Sequence, residues 1–172
     1  MFDGLVTAEG NSWKSRATAV LRQIEWPGKP GSTPVTPLTA EQQQRFERGH
    51  EIFQNICQAC HQPDGRGQDN LAANIIDSEL ALGPAEVTAR VLLNGKEGTV
   101  GLMPPLGTTL TDDQVASVLT YVRREWGQTG SPVEPATVAK VRAVVGNRPR
   151  PWTNDELFAL PEAAPLRQSL KR

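Results

Sequence analysis

Cys57-Gln58-Ala59-Cys60-His61 holds both cysteines of the 172-residue chain and one of its 2 histidines. The two thiols stand about one helical turn apart, and an imidazole follows the second directly. Three ordinary uses of such a stretch fit poorly. A thioredoxin-like dithiol belongs in a βαβ setting, and no segment of this chain alternates convincingly with the two-residue period of a strand. A structural zinc ion takes four ligands, and the other histidine, His50, lies on the preceding helix without paired spacing. A disulfide between Cys57 and Cys60 would close a very small loop and stabilise little.

The spacing does serve the covalent attachment of a c-type haem. Two thiols one turn apart reach the two vinyl groups of the porphyrin as thioethers, and His61 is then held beneath the iron as proximal ligand. Methionine is a common partner of histidine in electron-transfer haems, where it raises the reduction potential. Apart from Met1 the chain has a single methionine, Met103, within Gly101-Leu102-Met103-Pro104-Pro105-Leu106-Gly107. Prolines stiffen that loop and remove N–H donors that would be awkward to bury beside a macrocycle. A lone methionine is usually core filler. The loop, its prolines and an iron lacking a ligand together make Met103 the expected second axial ligand. The expected cofactor residues are therefore Cys57, Cys60, His61 and Met103, of which His61 and Met103 bind iron. Leu71, Ile75, Leu80, Leu92, Leu102 and Leu106 are expected in the apolar wall, and no catalytic residue is expected.

Outward from the motif the periodicity is helical. Thr39 with Gln42 forms a capping box that opens a helix, on which Phe46, Gly49, Phe53 and Ile56 share a face. A second helix is expected from Pro84, its first residue, through Val87, Val91 and Leu92 to Asn94-Gly95. A third starts at Thr111 and carries Val115, Val118, Leu119, Val122 and Trp126 on one face. Asp112 and Asp113 in its first turn suit the helix dipole. The expected fold is all-α, with three to five helices around one haem.

The prolines divide the chain into three parts, 1–37, 38–127 and 128–172. The first holds a helix over 13–26 and then four prolines in eleven residues, a stretch that reads as linker. The last is an extension packing on the middle domain or trailing from it. It has an expected helix over Pro135–Val145 and a capping box Thr153-Asn154-Asp155-Glu156 opening a short helix to Leu160. From Pro161 onward the polar tail is expected to fray. Residues 40–127 carry 7 basic against 12 acidic side chains, and residues 128–172 carry 7 against 4. The basic extension could therefore fold back on the acidic domain, or the two could be separate solvated surfaces.

Composition narrows the function classes. No run approaches ~20 apolar residues, so no transmembrane helix is expected. A net charge of -1 lacks the basic excess of non-specific nucleic-acid binding. Two cysteines cannot build the disulfide framework of a small secreted domain. Covalent haem is normally attached outside the cytoplasm, yet residues from Met1 to Val6 lack a secretory signal. A trimmed or fused extracytoplasmic protein, periplasmic in the first instance, is the expectation.

Residues 40–127 resemble a class I monohaem cytochrome c. Gly49-x-x-x-Phe53-x-x-x-Cys57-x-x-Cys60-His61 is similar to that family's N-terminal helix, and Leu110-Thr111-Asp112-Asp113-Gln114-Val115 through Tyr121-Val122-Arg123 to its C-terminal helix. The resemblance implies that these helices cross closely at Gly49, among aromatics such as Phe53 and Tyr121. One departure concerns His61. The family commonly has a proline about a dozen residues on, whose carbonyl accepts a hydrogen bond from the histidine; here Asn70-Leu71-Ala72-Ala73-Asn74-Ile75 has none, leaving the carbonyl of Ala72 or Ala73 to orient the ring.

Cys60-His61-Gln62-Pro63-Asp64-Gly65-Arg66-Gly67, the Met103 loop, Tyr121-Val122-Arg123-Arg124-Glu125-Trp126-Gly127 and Val138-Ala139-Lys140-Val141-Arg142 together resemble a narrower group. These are cytochrome c domains fused to large extracytoplasmic bacterial oxidoreductases, quinoprotein dehydrogenases among them. Electron transfer to or from a redox partner protein or fused dehydrogenase is what this implies, and residues 1–26 would end a preceding module. The competing class is a haem enzyme or gas sensor with a labile sixth ligand, peroxidase-like in chemistry. A further possibility is an interaction module with structural haem.

Overall fold

The Thr39 hydroxyl accepts the Gln42 N–H at 3.3 Å while the Gln42 side chain accepts the Thr39 N–H at 3.1 Å. This reciprocal cap starts α1, Ala40–Ile52. The structure, a computed structural model, describes residues 35–146 and 148–169; the helix expected over 13–26 lies outside them. The described residues from Leu38 onward belong to one unit.

After α1 the helix does not simply continue. Phe53–Cys57 forms a π-helical turn, in which the Gln58 N–H reaches back five residues to the Phe53 carbonyl. Such a turn widens the helix by one residue and is frequent at functional sites. The short α2, Gln58–His61, follows. Downstream come α3, Glu79–Leu82, capped by Ser78, and α4, Ala85–Asn94. Pro84 is the cap of α4 rather than its first residue, a one-residue difference from the expectation. A two-residue ladder, β1 Lys96–Glu97 with β2 Leu102–Met103, precedes α5, Asp112–Arg124.

The crossing of α1 and α5 organises the core. A Cβ placed on Gly49 would stand 2.1 Å from the Ser117 carbonyl oxygen, so only glycine permits this approach. Phe53, Val115, Val118 and Leu119 are buried beside the crossing. Tyr121 lies among Phe46, Phe53 and Trp126, with ring centroids 5.2 to 5.6 Å away, and stacks on His50 at 5.0 Å. Burial and the nearby Glu125 push the Tyr121 phenol up to about 12. Trp126 differs from the expectation. Helix α5 ends at Arg124, and Trp126 adopts φ 54, which turns the chain back instead of extending the helical face. Its indole N–H then donates to the Pro63 carbonyl at 3.2 Å, tying the end of α5 to the loop after His61.

The C-terminal part packs on these helices. Pro135–Val145 forms α6, with Val138 and Val141 buried. Arg142 secures it, donating to Asp112 at 2.7 Å, to the Leu110 carbonyl at 2.8 Å and to the Gly107 carbonyl. Thr153 caps α7, Asn154–Ala159, with its expected capping box. Beyond it the expectation of a frayed tail is overturned over residues 161–169, while residues 170–172 lie outside those described. Pro161–Ala163 makes a 3-10 turn and Ala164–Ser169 forms α8. Ala163 and Leu166 join Leu157, Trp152, Val87 and Val91 in a second apolar cluster, and Arg90 pairs with Glu162 at 2.9 Å. Two prolines and few apolar residues hid this segment, whose order comes from a few side chains docked on α4 rather than from a periodic face.

Candidate haem site

Cys57 ends the π-helical turn, Cys60 and His61 lie on α2, and Met103 lies on β2. All four line one cleft, with about 1390 Å³ of empty space when its open mouth is included. Phe53, Ile75, Val91, Leu92, Leu119 and Val122 give it a predominantly apolar wall. Leu71, Leu80, Leu102 and Leu106 lie in that lining as well. At the mouth Ile56, Leu71, Val100 and Leu102 are exposed, Leu102 by 60%. Two half-buried cysteines, both free, thus face an apolar space large enough for a macrocycle.

The titration of these groups follows from burial. The Cys57 thiol is pushed up to about 11, chiefly by desolvation and then by Cys60. Cys57 is therefore a neutral thiol at neutral pH, unlike the activated thiolate of a dithiol redox site. His61 is pushed below its ordinary value by burial, against the opposing effect of a hydrogen bond to the Ala73 carbonyl. Its Nδ1 stands 3.0 Å from that oxygen. A carbonyl can only accept, so Nδ1 carries the proton and the lone pair sits on Nε2.

The loop that delivers Ala73 is itself held close. Gly67 N–H donates to the His61 carbonyl at 3.0 Å, and Gln68 N–H to that of Ala72 at 2.9 Å. Gly67 has φ +75, and a Cβ there would lie 2.2 Å from the Ala72 oxygen. Glycine is required on both counts. Of the two carbonyls left open by the sequence, Ala73 is the one that meets His61.

Met103 is not in an irregular loop. It pairs antiparallel with Lys96, in a ladder too short for period-two alternation to show. Sequence reasoning also missed polar residues in the lining, including Ser78, Thr88, Lys96 and Asn154. Lys96 follows the Asn94-Gly95 helix stop, and burial lowers its ammonium below the ordinary lysine value. Asn154 comes from α7, far along the chain, and no local signal marks it. His50 stacks on Tyr121, outside the lining residues. Among the described residues no group of three or more His, Cys, Asp or Glu could hold a bare metal ion.

An apolar cleft with two thiols, a preset imidazole and a thioether fits a covalently held porphyrin. Residues 44–122 match the family model described as cytochrome C oxidase, cbb3-type, subunit III, a c-type cytochrome domain. The match supports covalent haem c and electron transfer for this segment. The chain is also similar to the fructose dehydrogenase cytochrome subunit of Gluconobacter japonicus, at 26% identity over 145 residues. That match covers 76% of this chain but 30% of the relative, so the chain spans less than a third of that protein's length.

Proposed function

We propose that the chain passes single electrons through one haem, which Cys57 and Cys60 would attach and whose iron His61 and Met103 would bind. The observation that carries this reading is the 3.0 Å contact of His61 Nδ1 with the Ala73 carbonyl, which leaves Nε2 as the basic nitrogen. When bound, the haem supplies a one-electron iron couple, and the protein supplies the surroundings. His61 is fixed in tautomer and orientation by Ala73, as metal-binding histidines usually are. The Met103 thioether is a soft ligand that favours the reduced iron. The apolar lining excludes water and keeps the charge change on the iron in a medium that reorganises little.

The protein works outside the cytoplasm, as a module or partner of a larger dehydrogenase. Similarity to a dehydrogenase cytochrome subunit supports this reading. Among the described residues no helix is long and apolar enough to cross a membrane. The exposed apolar side chains at the mouth, Leu102 foremost, suit close approach of a redox partner.

Visible spectroscopy tests the ligation. The oxidised protein is expected to show a methionine-to-iron charge-transfer band, and the reduced protein to resist carbon monoxide. Met103→Ala should lose the band and take up carbon monoxide. Rapid uptake by the unaltered protein at neutral pH would overturn the Met103 assignment and favour the haem-enzyme or gas-sensor class.

A further inference from the structure

Strand β1 has two edges, and both are used. On one, Lys96 pairs antiparallel with Met103. On the other, Lys96 is bridged in parallel by Trp152. The Trp152 N–H donates to the Gly95 carbonyl at 3.0 Å, and the Trp152 carbonyl accepts the Glu97 N–H at 2.8 Å. The C-terminal segment therefore bridges the far edge of the pair that carries Met103. A two-stranded ladder of this length has little stability by itself.

The same segment reaches Met103 through side chains. Met103 packs against both apolar clusters, the second built from α4 together with Trp152, Leu157, Ala163 and Leu166. Arg148 lies 3.9 Å over the Trp152 ring and pairs with Glu156 at 2.6 Å, which anchors the segment at this point. Two residues beyond Trp152, Asn154 joins the lining of the haem cleft. Covering the apolar face of α4 would need Leu157, Ala163 and Leu166. It would not need two main-chain hydrogen bonds bracketing the strand partner of Met103.

We propose that Trp152 is a positioning residue for Met103: its main chain braces the far edge of β1 and keeps the thioether in the cleft, and so sets how readily an outside ligand replaces it. This rests on the reading of Met103 as a ligand to the haem iron. No substitution in the haem-binding residues is needed to test it. Glu97 is exposed, and Glu97→Pro deletes the N–H that meets Trp152, whereas Glu97→Ala keeps it.

In the full haem-loaded chain, reduced Glu97→Pro is expected to take up carbon monoxide about five- to tenfold faster than Glu97→Ala, the worth of one lost main-chain hydrogen bond. The charge-transfer band of the oxidised protein should weaken in parallel. Val138→Ala, which thins the core beneath α6, should lower the unfolding midpoint and leave the uptake rate unchanged. Equal rates in the two Glu97 variants, or a Val138→Ala rate raised as far as that of Glu97→Pro, would overturn the inference. A missing band in the unaltered protein would instead strike the Met103 assignment itself.

Should Glu97→Pro fail to fold, amide exchange of the unaltered protein gives the same answer. Saturation with imidazole, which displaces a thioether, is expected to speed exchange at Glu97 and Trp152 about tenfold while α1 and α5 stay protected. Unchanged exchange at those two amides, with the band abolished by imidazole, would overturn the proposal.

Discussion

His61 stands on a wall of crossed helices, whereas Met103 stands on two residues of strand. On the first wall the backbones of α1 and α5 meet at Gly49, the side chains around them are buried, and aromatic rings close the corner. On the second wall Leu102, the immediate neighbour of Met103, is exposed, and support comes through the main chain of β1 from a segment about fifty residues downstream. Dense side-chain packing resists displacement because every methylene is in contact. A hydrogen-bonded ladder resists it only while its few N–H and carbonyl groups remain paired. The settings of His61 and Met103 should thus differ in rigidity.

The largest blow to the helical wall is Gly49→Val. Its Cβ would meet the Ser117 carbonyl, a backbone atom that cannot swing away, so we expect a loss of about 3 kcal/mol or more. Urea unfolding followed by circular dichroism measures it, and an unchanged midpoint would mean that the crossing is looser than described. A smaller effect is expected at the seam. Trp126→Phe keeps an aromatic ring but removes the N–H donated to Pro63, at a cost of about 1 kcal/mol. A midpoint equal to the parent's would show that the seam depends on ring packing alone.

The smallest effect belongs to the strand wall and depends on pH. Glu156 is held below its ordinary value by the Thr153 backbone N–H first and by Arg148 next. A carboxyl depressed on folding stabilises the fold above its unfolded value, near 4.5 here, and loses that contribution as pH falls through its lower folded value. Glu156→Gln should lower the thermal midpoint slightly at neutral pH, and the difference from the parent should vanish in acid. A difference that persists in acid would assign the loss to the hydrogen bonds of the cap rather than to charge.

The helical wall was largely legible in the sequence, because side-chain chemistry announces it. Thr39 with Gln42, and Thr111 before Asp112 and Asp113, mark helix starts; Val115, Val118, Leu119 and Val122 mark a buried face; Gly49 falls where a close approach is needed. What was hidden depends on the backbone or on distance. The π-helical turn at Phe53–Cys57 shifts a hydrogen bond by one residue without any diagnostic side chain. The Met103 ladder is too short to alternate, and Trp152 pairs with it from far along the chain. Segment 161–169 contains two prolines, yet Ala163 and Leu166 suffice to dock it.

The partner of His61 is a peptide oxygen rather than a side chain. Whatever residue occupies position 73, its carbonyl persists, so drift at that site leaves the imidazole's support intact as long as the loop keeps its path. That is how the ring is held although residues 70–75 contain no proline. The vulnerability moves instead to Gly67, where the tracing of the chain leaves no room for a methyl group. Selection on the orientation of the histidine would therefore act six residues beyond it, at a position with no side chain.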